Sequence, residues 1–130
     1  MISCGGAGGT SALATWTNVR DVVDNTCHGS DCHTKGERAL MLLDTGSTPL
    51  SDADLYSTLT TFKTDELCSS RVLVKPCAPQ DSAFYLAQAG MCGANLPYMP
   101  FGCSPAYDNC TPADKLEGIR QWIANGAPKP

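Results

Sequence analysis

The sequence predicts an all-α fold on three observations. Apolar residues recur at helical spacing near both ends of the chain, in residues 16–23 and 116–123. No segment alternates apolar and polar residues over the length of a strand. Residues 91–110 are rich in glycine and proline, which interrupt regular elements. We therefore expect about four short helices joined by long loops.

The first helix is predicted by Trp16, Val19, Val22 and Val23, which recur on one helical face. Thr15 precedes this run, and threonine is a residue type that caps helix N-termini. We therefore expect the helix to begin just after Thr15.

A second helix is predicted behind residue 51. Ser51 and Asp54 have the spacing of a capping box, with Asp in place of the usual Glu. Leu55, Leu59 and Phe62 continue the apolar face of this helix.

A third, shorter helix is predicted through Phe84, Tyr85 and Leu86. Asp81 is its candidate N-cap, and Gly90 is the residue expected to close it at the C-terminal end.

The last helix has the clearest start and stop signals. Thr111 is the expected N-cap, Pro112 suits the first helical position and Asp114 lies in the first turn. Gly126 is expected to end the helix. We expect this helix to pack on the first, because each carries an apolar face with one tryptophan. The apolar residues of the last helix are Leu116, Ile119, Trp122 and Ile123.

The length of 130 residues suits a single domain. Residues 1–13 are rich in glycine, serine and alanine, so we expect them to form a flexible N-terminal lead. The domain is expected over residues 14–130. No apolar run is long enough to span a membrane. The first residues lack the pattern of a signal peptide, so we expect any export signal upstream of Met1.

The charge distribution excludes nucleic acid as an expected partner. The formal net charge is −4, and no basic stripe follows a predicted helix. A partner protein with a basic docking face would suit such a surface.

One cluster of cysteine and histidine stands out in residues 27–33. Covalent haem attachment needs two thiols, which add to the two vinyl groups, and a histidine beside the second thiol to bind the iron. Cys27, Cys32 and His33 supply these groups, although four residues separate the cysteines instead of the usual two. His28 is interpreted as a solvent-facing loop residue, because its neighbour Cys27 would be tethered on the His33 side of the haem.

A second candidate iron ligand lies far downstream. Met99 stands between Pro97 and Pro100, whose fixed φ angles would hold its thioether in place. Such a sulfur is a suitable axial ligand for haem iron opposite a histidine. Met41 and Met91 are weaker candidates for this role.

The cluster also allows two readings without haem. Cys27, His28, Cys32 and His33 are all possible ligands of a structural zinc ion. Cys27 and Cys32 could instead form a plain disulfide. Zinc would leave the loop around Met99 unexplained.

Together these segments resemble the small monohaem c-type cytochrome family, and in particular haem-binding modules of large secreted bacterial proteins. The order is an N-terminal helix, the Cys…Cys-His motif, a distal Met-Pro loop and a C-terminal helix packed on the first. The resemblance covers roughly residues 14–128, and its motifs are short. The spacing between Cys27 and Cys32 departs from the family norm.

The resemblance implies a cytochrome c-like fold, with long disulfide-tied loops around one covalent haem c. It implies that Cys27 and Cys32 attach the haem, and that His33 and Met99 are its axial ligands. The expected function is one-electron transfer to a redox partner protein, with no enzymatic activity of its own. An alternative is a haem-based sensor or catalytic module with an open iron site. Because haem c is assembled outside the cytoplasmic membrane, we expect a periplasmic or extracellular location.

An exported protein is expected to form disulfides among its remaining cysteines. Cys103 and Cys110 could close a small loop, and Cys68 could pair with Cys92. Cys4 and Cys77 would then remain and could pair, but other pairings stay open. The alternative for Cys4 is lipidation, because residues 2–5 resemble the end of a bacterial lipoprotein signal; a membrane contact is expected only in that case. The six cysteines are Cys4, Cys68, Cys77, Cys92, Cys103 and Cys110.

Overall fold

The structure is a computed structural model, and it describes residues 4, 11–26, 51–63, 71–89, 103–104, 107–108 and 111–130. Within these residues the chain is mostly helical, which agrees with the predicted all-α class. The described helices are α1 (Trp16–Thr26), α2 (Asp52–Thr61), a 3₁₀ helix (Pro79–Asp81), α3 (Ala83–Gln88) and α4 (Ala113–Ala124). None of them is long and apolar enough to cross a membrane. A cytochrome c-like topology stays a prediction.

A small antiparallel pair was not expected from the sequence. It consists of β1 (Cys103–Ser104) and β2 (Tyr107–Asp108), with Cys103 opposite Asp108 and Ser104 opposite Tyr107. Two residues per strand are too few to show an alternating pattern, which explains why the sequence contains no signal for it.

The predicted starts of α1 and α2 are confirmed. The Thr15 hydroxyl oxygen accepts a hydrogen bond of 3.2 Å from the backbone N–H of Asn18. The Ser51 hydroxyl oxygen accepts one of 3.1 Å from the N–H of Asp54. Both bonds satisfy an N–H group that has no partner inside its helix.

The predicted cap of α3 is wrong. Asp81 is the last residue of the 3₁₀ helix, and its carboxylate lies 3.9 Å from the Arg71 guanidinium. Ser82 precedes α3 instead, and its carbonyl oxygen accepts the N–H of Leu86. Pro79 begins the 3₁₀ turn, which takes Asp81 out of the capping position. The predicted stop at Gly90 lies outside the described residues.

The start of α4 is shifted by one residue from the prediction. Pro112 is the N-cap, not the first helical residue, and its carbonyl oxygen accepts the N–H of Leu116. Thr111 is therefore not the cap. Its side chain is buried, and the hydroxyl donates to the side-chain oxygen of Gln88 on α3.

The C-terminal end of α4 confirms the predicted stop at Gly126. Gly126 has φ +104°, and its N–H donates to the carbonyl oxygen of Ile123. The N–H of Ala127 donates to the carbonyl oxygen of Trp122, which completes a Schellman motif. Glycine suits this position because it has no Cβ to oppose a left-handed backbone.

The core of the described residues forms around α1 and α4. Their apolar faces pack on each other as predicted, with the Trp16 and Trp122 ring centroids 5.9 Å apart. Leu55 and Leu59 of α2 are completely buried in the same cluster. The other members of this core are Val19, Val22, Val23, Leu73, Val74, Ala83, Phe84, Leu86, Ile119, Ile123 and Ala127.

The described part of the predicted N-terminal lead is attached to the domain. Cys4 is disulfide-bonded to Cys77. The N–H of Ser11 donates a 2.9 Å hydrogen bond to the side-chain oxygen of Gln121 on α4. The division into a flexible lead over 1–13 and a domain over 14–130 stays a prediction.

Candidate functional site

The predicted haem-binding residues Cys27, Cys32, His33 and Met99 lie outside the described residues, as does His28. Their expected roles therefore stay predictions. The described structure does show what precedes the motif in the chain. Helix α1 ends at Thr26, so its C-terminal residue is covalently joined to the first expected attachment cysteine.

The packing of α1 on α4 is held by a buried amide. The side-chain Nδ2 of Asn18 donates to the backbone carbonyl oxygen of Lys115 at 2.9 Å and to that of Leu13 at 3.0 Å. One side chain thus joins α1, α4 and the segment before α1. Asn18 is only 4% exposed, so these bonds are made away from bulk water.

A glycine allows the chain before α1 to approach α4 closely. A Cβ added to Gly118 would lie 2.6 Å from the Cβ of Leu13 and 2.7 Å from its carbonyl carbon. Real Cβ atoms do not approach other heavy atoms to this distance, so a larger residue at 118 requires one of the two segments to move.

An ion pair lies at the rim of the same contact. The ammonium group of Lys115 lies 2.7 Å from the Asp21 carboxylate of α1. This hydrogen bond and the charge of Asp21 raise the pKa of Lys115. Both side chains are exposed, so the pair adds little to the stability of the contact.

Three aromatic rings meet at one end of the α1–α4 contact; we call Trp16, Tyr56 and Trp122 the aromatic cluster. The ring centroids of Trp16 and Tyr56 are 5.9 Å apart, and those of Tyr56 and Trp122 are 6.3 Å apart at an interplanar angle of 90°. Edge-on contacts of this kind are favourable between aromatic rings. The Tyr56 hydroxyl donates a 2.6 Å hydrogen bond to the carbonyl oxygen of Ala127, and burial raises the pKa of Tyr56.

The aromatic cluster contains two unpartnered donors. The indole Nε1 atoms of Trp16 and Trp122 are buried, and neither makes a hydrogen bond within the part of the chain that the structure describes. Buried N–H groups in native proteins almost always have an acceptor. The residues that would hold a haem follow α1 in the sequence, where two thiols and an imidazole supply the donor types that covalent haem attachment requires.

The exposed side of α4 carries its own charge pair. The Arg120 guanidinium donates hydrogen bonds to the Glu117 carboxylate, two of 2.9 Å from Nε and one of 2.5 Å from Nη2. The interaction lowers the pKa of Glu117 and raises that of Arg120. This pair lies one helical turn apart and stabilises α4 itself rather than a site.

Among the pairings that the sequence leaves open, the structure contains the disulfide between Cys4 and Cys77. Cys77 has φ +74°, and its N–H donates a 2.9 Å hydrogen bond to the carbonyl oxygen of Ile123. The bridge therefore holds the N-terminal segment at the end of α4. A sulfur in a disulfide is not available for lipid attachment, so this pairing opposes the lipidation alternative for Cys4.

The rest of the predicted disulfide framework lies outside what the structure describes. This applies to Cys68, Cys92 and Cys110, and to the side chain of Cys103, of which only the strand position is described. Within the described ranges, no three or more His, Cys, Asp or Glu side chains cluster as metal ligands would.

Comparison of the chain with protein-family models, with curated proteins and with solved structures finds no match. The resemblance to c-type cytochromes therefore depends on the motifs in the sequence and on their order.

The sequence did not indicate three of the residues that build this region. Asn18 and Gly118 have residue types that are common at exposed helix positions. Tyr56 follows the apolar Leu55 without a pattern of its own. A polar residue or a glycine on the inner face of a predicted helix would have been the available signal, because such positions usually carry apolar side chains.

Proposed function

We propose that this protein is a one-electron carrier with a single covalently bound haem c. The observation that carries the proposal is the position of Cys27, Cys32 and His33. They follow directly after α1, which packs on the C-terminal helix α4. That order of helix, thiols, histidine and closing helix is the one expected of a small c-type cytochrome.

Each residue of the motif has a defined chemical role in this proposal. The Cys27 and Cys32 thiols form thioether bonds to the two vinyl groups, which anchors the porphyrin. The imidazole of His33 binds the iron from one side. The haem supplies a metal that gains and loses one electron. Met99 supplies a thioether on the other side, which stabilises the reduced iron and raises the reduction potential.

The described part of the chain supplies a rigid support for the motif. Val19, Val22 and Val23 of α1 are at most 1% exposed, so the helix that leads into Cys27 is fixed by its core contacts. A fixed helix end limits the positions that the two cysteines can take.

The proposal includes export from the cytoplasm and a redox partner protein. Haem c attachment and a disulfide between Cys4 and Cys77 both favour a location outside the cytoplasm. The net charge of −4 favours a redox partner whose docking face is basic.

Covalent attachment is the property to test first. Protein produced together with a cytochrome c maturation system should keep its colour after acid–acetone extraction, which removes only non-covalent haem. Cys32→Ala and His33→Ala should each prevent accumulation of stable holoprotein. His28→Ala is the matched control in the same segment and should leave the visible spectrum nearly unchanged.

The outcomes separate the alternatives. Release of all haem into the organic phase refutes covalent attachment. A colourless protein that binds one zinc ion through the cluster favours the zinc-stabilised interaction domain. A coloured protein whose iron binds carbon monoxide readily without mutation favours the sensor or catalytic module.

A further inference from the structure

The sequence contains a single asparagine–glycine step, formed by Asn125 and Gly126 where α4 ends. In such a step the backbone nitrogen of the glycine can attack the side-chain amide carbon of the asparagine, because glycine has no side chain to hinder the approach. The other asparagines of the chain are all followed by larger residues. Asn125 is therefore the asparagine at which the sequence most favours a spontaneous modification.

The structure holds this step in a conformation that cannot react. Asn125 has ψ 4°, so its own backbone nitrogen, and not its Cβ, is eclipsed with the Gly126 nitrogen about the Cα–C bond. Ring closure requires the Cβ in that position, because the side chain must reach the Gly126 nitrogen. The N–H of Gly126 is buried and donates to the Ile123 carbonyl oxygen at 3.0 Å, which opposes the loss of its proton.

Tertiary contacts keep the end of α4 closed. Ala127 has φ +47°, a left-handed backbone that is unfavourable for a residue with a Cβ. Its N–H donates to the Trp122 carbonyl oxygen at 2.9 Å, and its own carbonyl oxygen accepts the Tyr56 hydroxyl of α2 at 2.6 Å. The Ile123 carbonyl oxygen accepts a further N–H from Cys77. The reactive step is thus closed by contacts with other parts of the fold as well as by the helix itself.

We propose that Asn125 is a self-modification site, which the folded protein keeps closed and which local opening at the end of α4 makes reactive. In the opened state the Gly126 nitrogen loses its proton to a base in the solvent and attacks Cγ of Asn125. A carbon–nitrogen bond forms, the bond from Cγ to the side-chain nitrogen breaks, and ammonia leaves after taking a proton from water. Water then opens the cyclic imide at either carbonyl carbon, which gives aspartate or isoaspartate.

The modification prevents the end of α4 from closing again. Both products place a carboxylate beside the last carbonyl groups of the helix, which already carry partial negative charge. Isoaspartate also adds a methylene group to the main chain, so the N–H groups of Gly126 and Ala127 no longer lie opposite their acceptors. A transient opening is thereby converted into a permanent covalent change that needs no enzyme and no cofactor.

The test compares folded and denatured protein at mildly alkaline pH in water enriched in heavy oxygen. Each conversion incorporates a labelled oxygen atom, and peptic digestion in acid then releases the peptide that contains Asn125 without forming further product. Denatured protein should give more isoaspartate than aspartate, as expected of a cyclic imide. Folded protein should convert at least about tenfold more slowly, because only the opened fraction reacts.

Two tyrosine variants test the contacts that close the site. Tyr56→Phe removes the hydrogen bond to Ala127 and should raise the rate in folded protein by about twofold to tenfold, the effect of one lost hydrogen bond on the opened fraction. Tyr85→Phe is the matched control, because it removes a hydroxyl from α3 and leaves the Tyr56–Ala127 bond in place. Both variants should convert at the wild-type rate when denatured. Equal rates for the two folded variants overturn the role of Tyr56.

Denaturant separates local opening from global unfolding. Concentrations below the unfolding transition should hardly change the rate in folded protein, because local opening exposes little surface. A folded rate that equals the denatured rate, or that rises in step with global unfolding, overturns the local control of the site. Denatured protein that stays unmodified at Asn125 overturns the site itself. Each of these outcomes leaves the proposed function standing, because the chemistry at Asn125 does not involve haem.

Discussion

The side-chain amide of Asn18 on α1 donates a 2.9 Å hydrogen bond to the backbone carbonyl oxygen of Lys115 on α4. The two residues are 97 positions apart in the sequence, and the bond closes the contact between the first and last helices. The same amide also binds the Leu13 carbonyl oxygen. One buried side chain therefore specifies how α1, α4 and the segment before α1 meet.

Asn18→Ala should lower the free energy of unfolding by about 1–3 kcal/mol, because two backbone carbonyl groups lose a buried donor. Denaturant-induced unfolding of the purified protein measures the difference. Thr17→Ala is the neighbouring control on the exposed side of α1 and should change the value by no more than about 0.5 kcal/mol. Equal stability of the two variants would show that the Asn18 bonds contribute nothing.

Gly118→Ala should also destabilise the protein, although alanine alone favours a helix by about 1 kcal/mol over glycine. The added Cβ would overlap with Leu13, and such overpacking costs typically about 1–3 kcal/mol. Ser57→Ala, at an exposed position of α2, shows the effect of helix propensity without a clash and should be neutral or slightly stabilising. The prediction fails if Gly118→Ala raises the unfolding midpoint.

The Cys4–Cys77 bridge closes a loop with a sequence separation of 73 residues. Peptide mapping without reductant should recover the linked pair, and Cys4→Ala combined with Cys77→Ala should lower the free energy of unfolding by roughly 4 kcal/mol. In the Cys4→Ala background, Cys77→Gly should be more stable than Cys77→Ala by about 1 kcal/mol, because residue 77 has a left-handed backbone. Recovery of Cys77 linked to another cysteine would contradict the assignment.

The Glu117–Arg120 pair predicts a small acid-sensitive contribution to stability. The pKa of Glu117 is lowered by the hydrogen bond from Arg120, so the contribution is present above the usual glutamate pKa of about 4.3 and is lost as the pH falls through the lower folded value. The pair is largely exposed, so its worth is at most about 1 kcal/mol. The stability difference between wild type and Glu117→Gln should shrink toward acid pH and in high salt. A difference that grows under acid would contradict the sign.

Met99 decides between a closed electron carrier and an open haem site. If it binds the iron, Met99→Ala should abolish the weak ferric charge-transfer band at the red edge of the visible spectrum. The variant should also have a lower reduction potential and bind carbon monoxide or imidazole. Met41→Leu and Met91→Leu are the matched controls and should do none of these. Loss of the band in a control, with the band kept in Met99→Ala, would reassign the ligand.

Local signals explain which helices were predicted correctly. Thr15 and Ser51 each bind an N–H group three residues later in the chain, so short sequence windows contain both partners. Gly126 likewise needs only the last turn of α4 to form its motif. Each of these interactions is complete within a few residues, which is why the sequence alone was sufficient.

The wrong predictions concern residues whose partners lie on another element. Thr111 has the right type and position for a cap, but its hydroxyl binds Gln88, which is 23 positions away in the sequence. Asp81 likewise faces Arg71 and Lys75 rather than the first turn of α3. In both cases a tertiary contact replaced the local one that the sequence favoured.

For this protein, the sequence by itself determined the helical class, the starts of α1 and α2, the stop at Gly126 and the order of the motifs on which the proposal of haem binding depends. Helix periodicity and capping depend on neighbours in the chain, so they are readable without a structure. The tertiary structure decided the Asn18–Lys115 bond, the close approach at Gly118 and the contact between Trp16 and Trp122. Those pairs are brought together only when apolar faces from opposite ends of the chain are buried against each other, and no local pattern specifies which polar groups then meet.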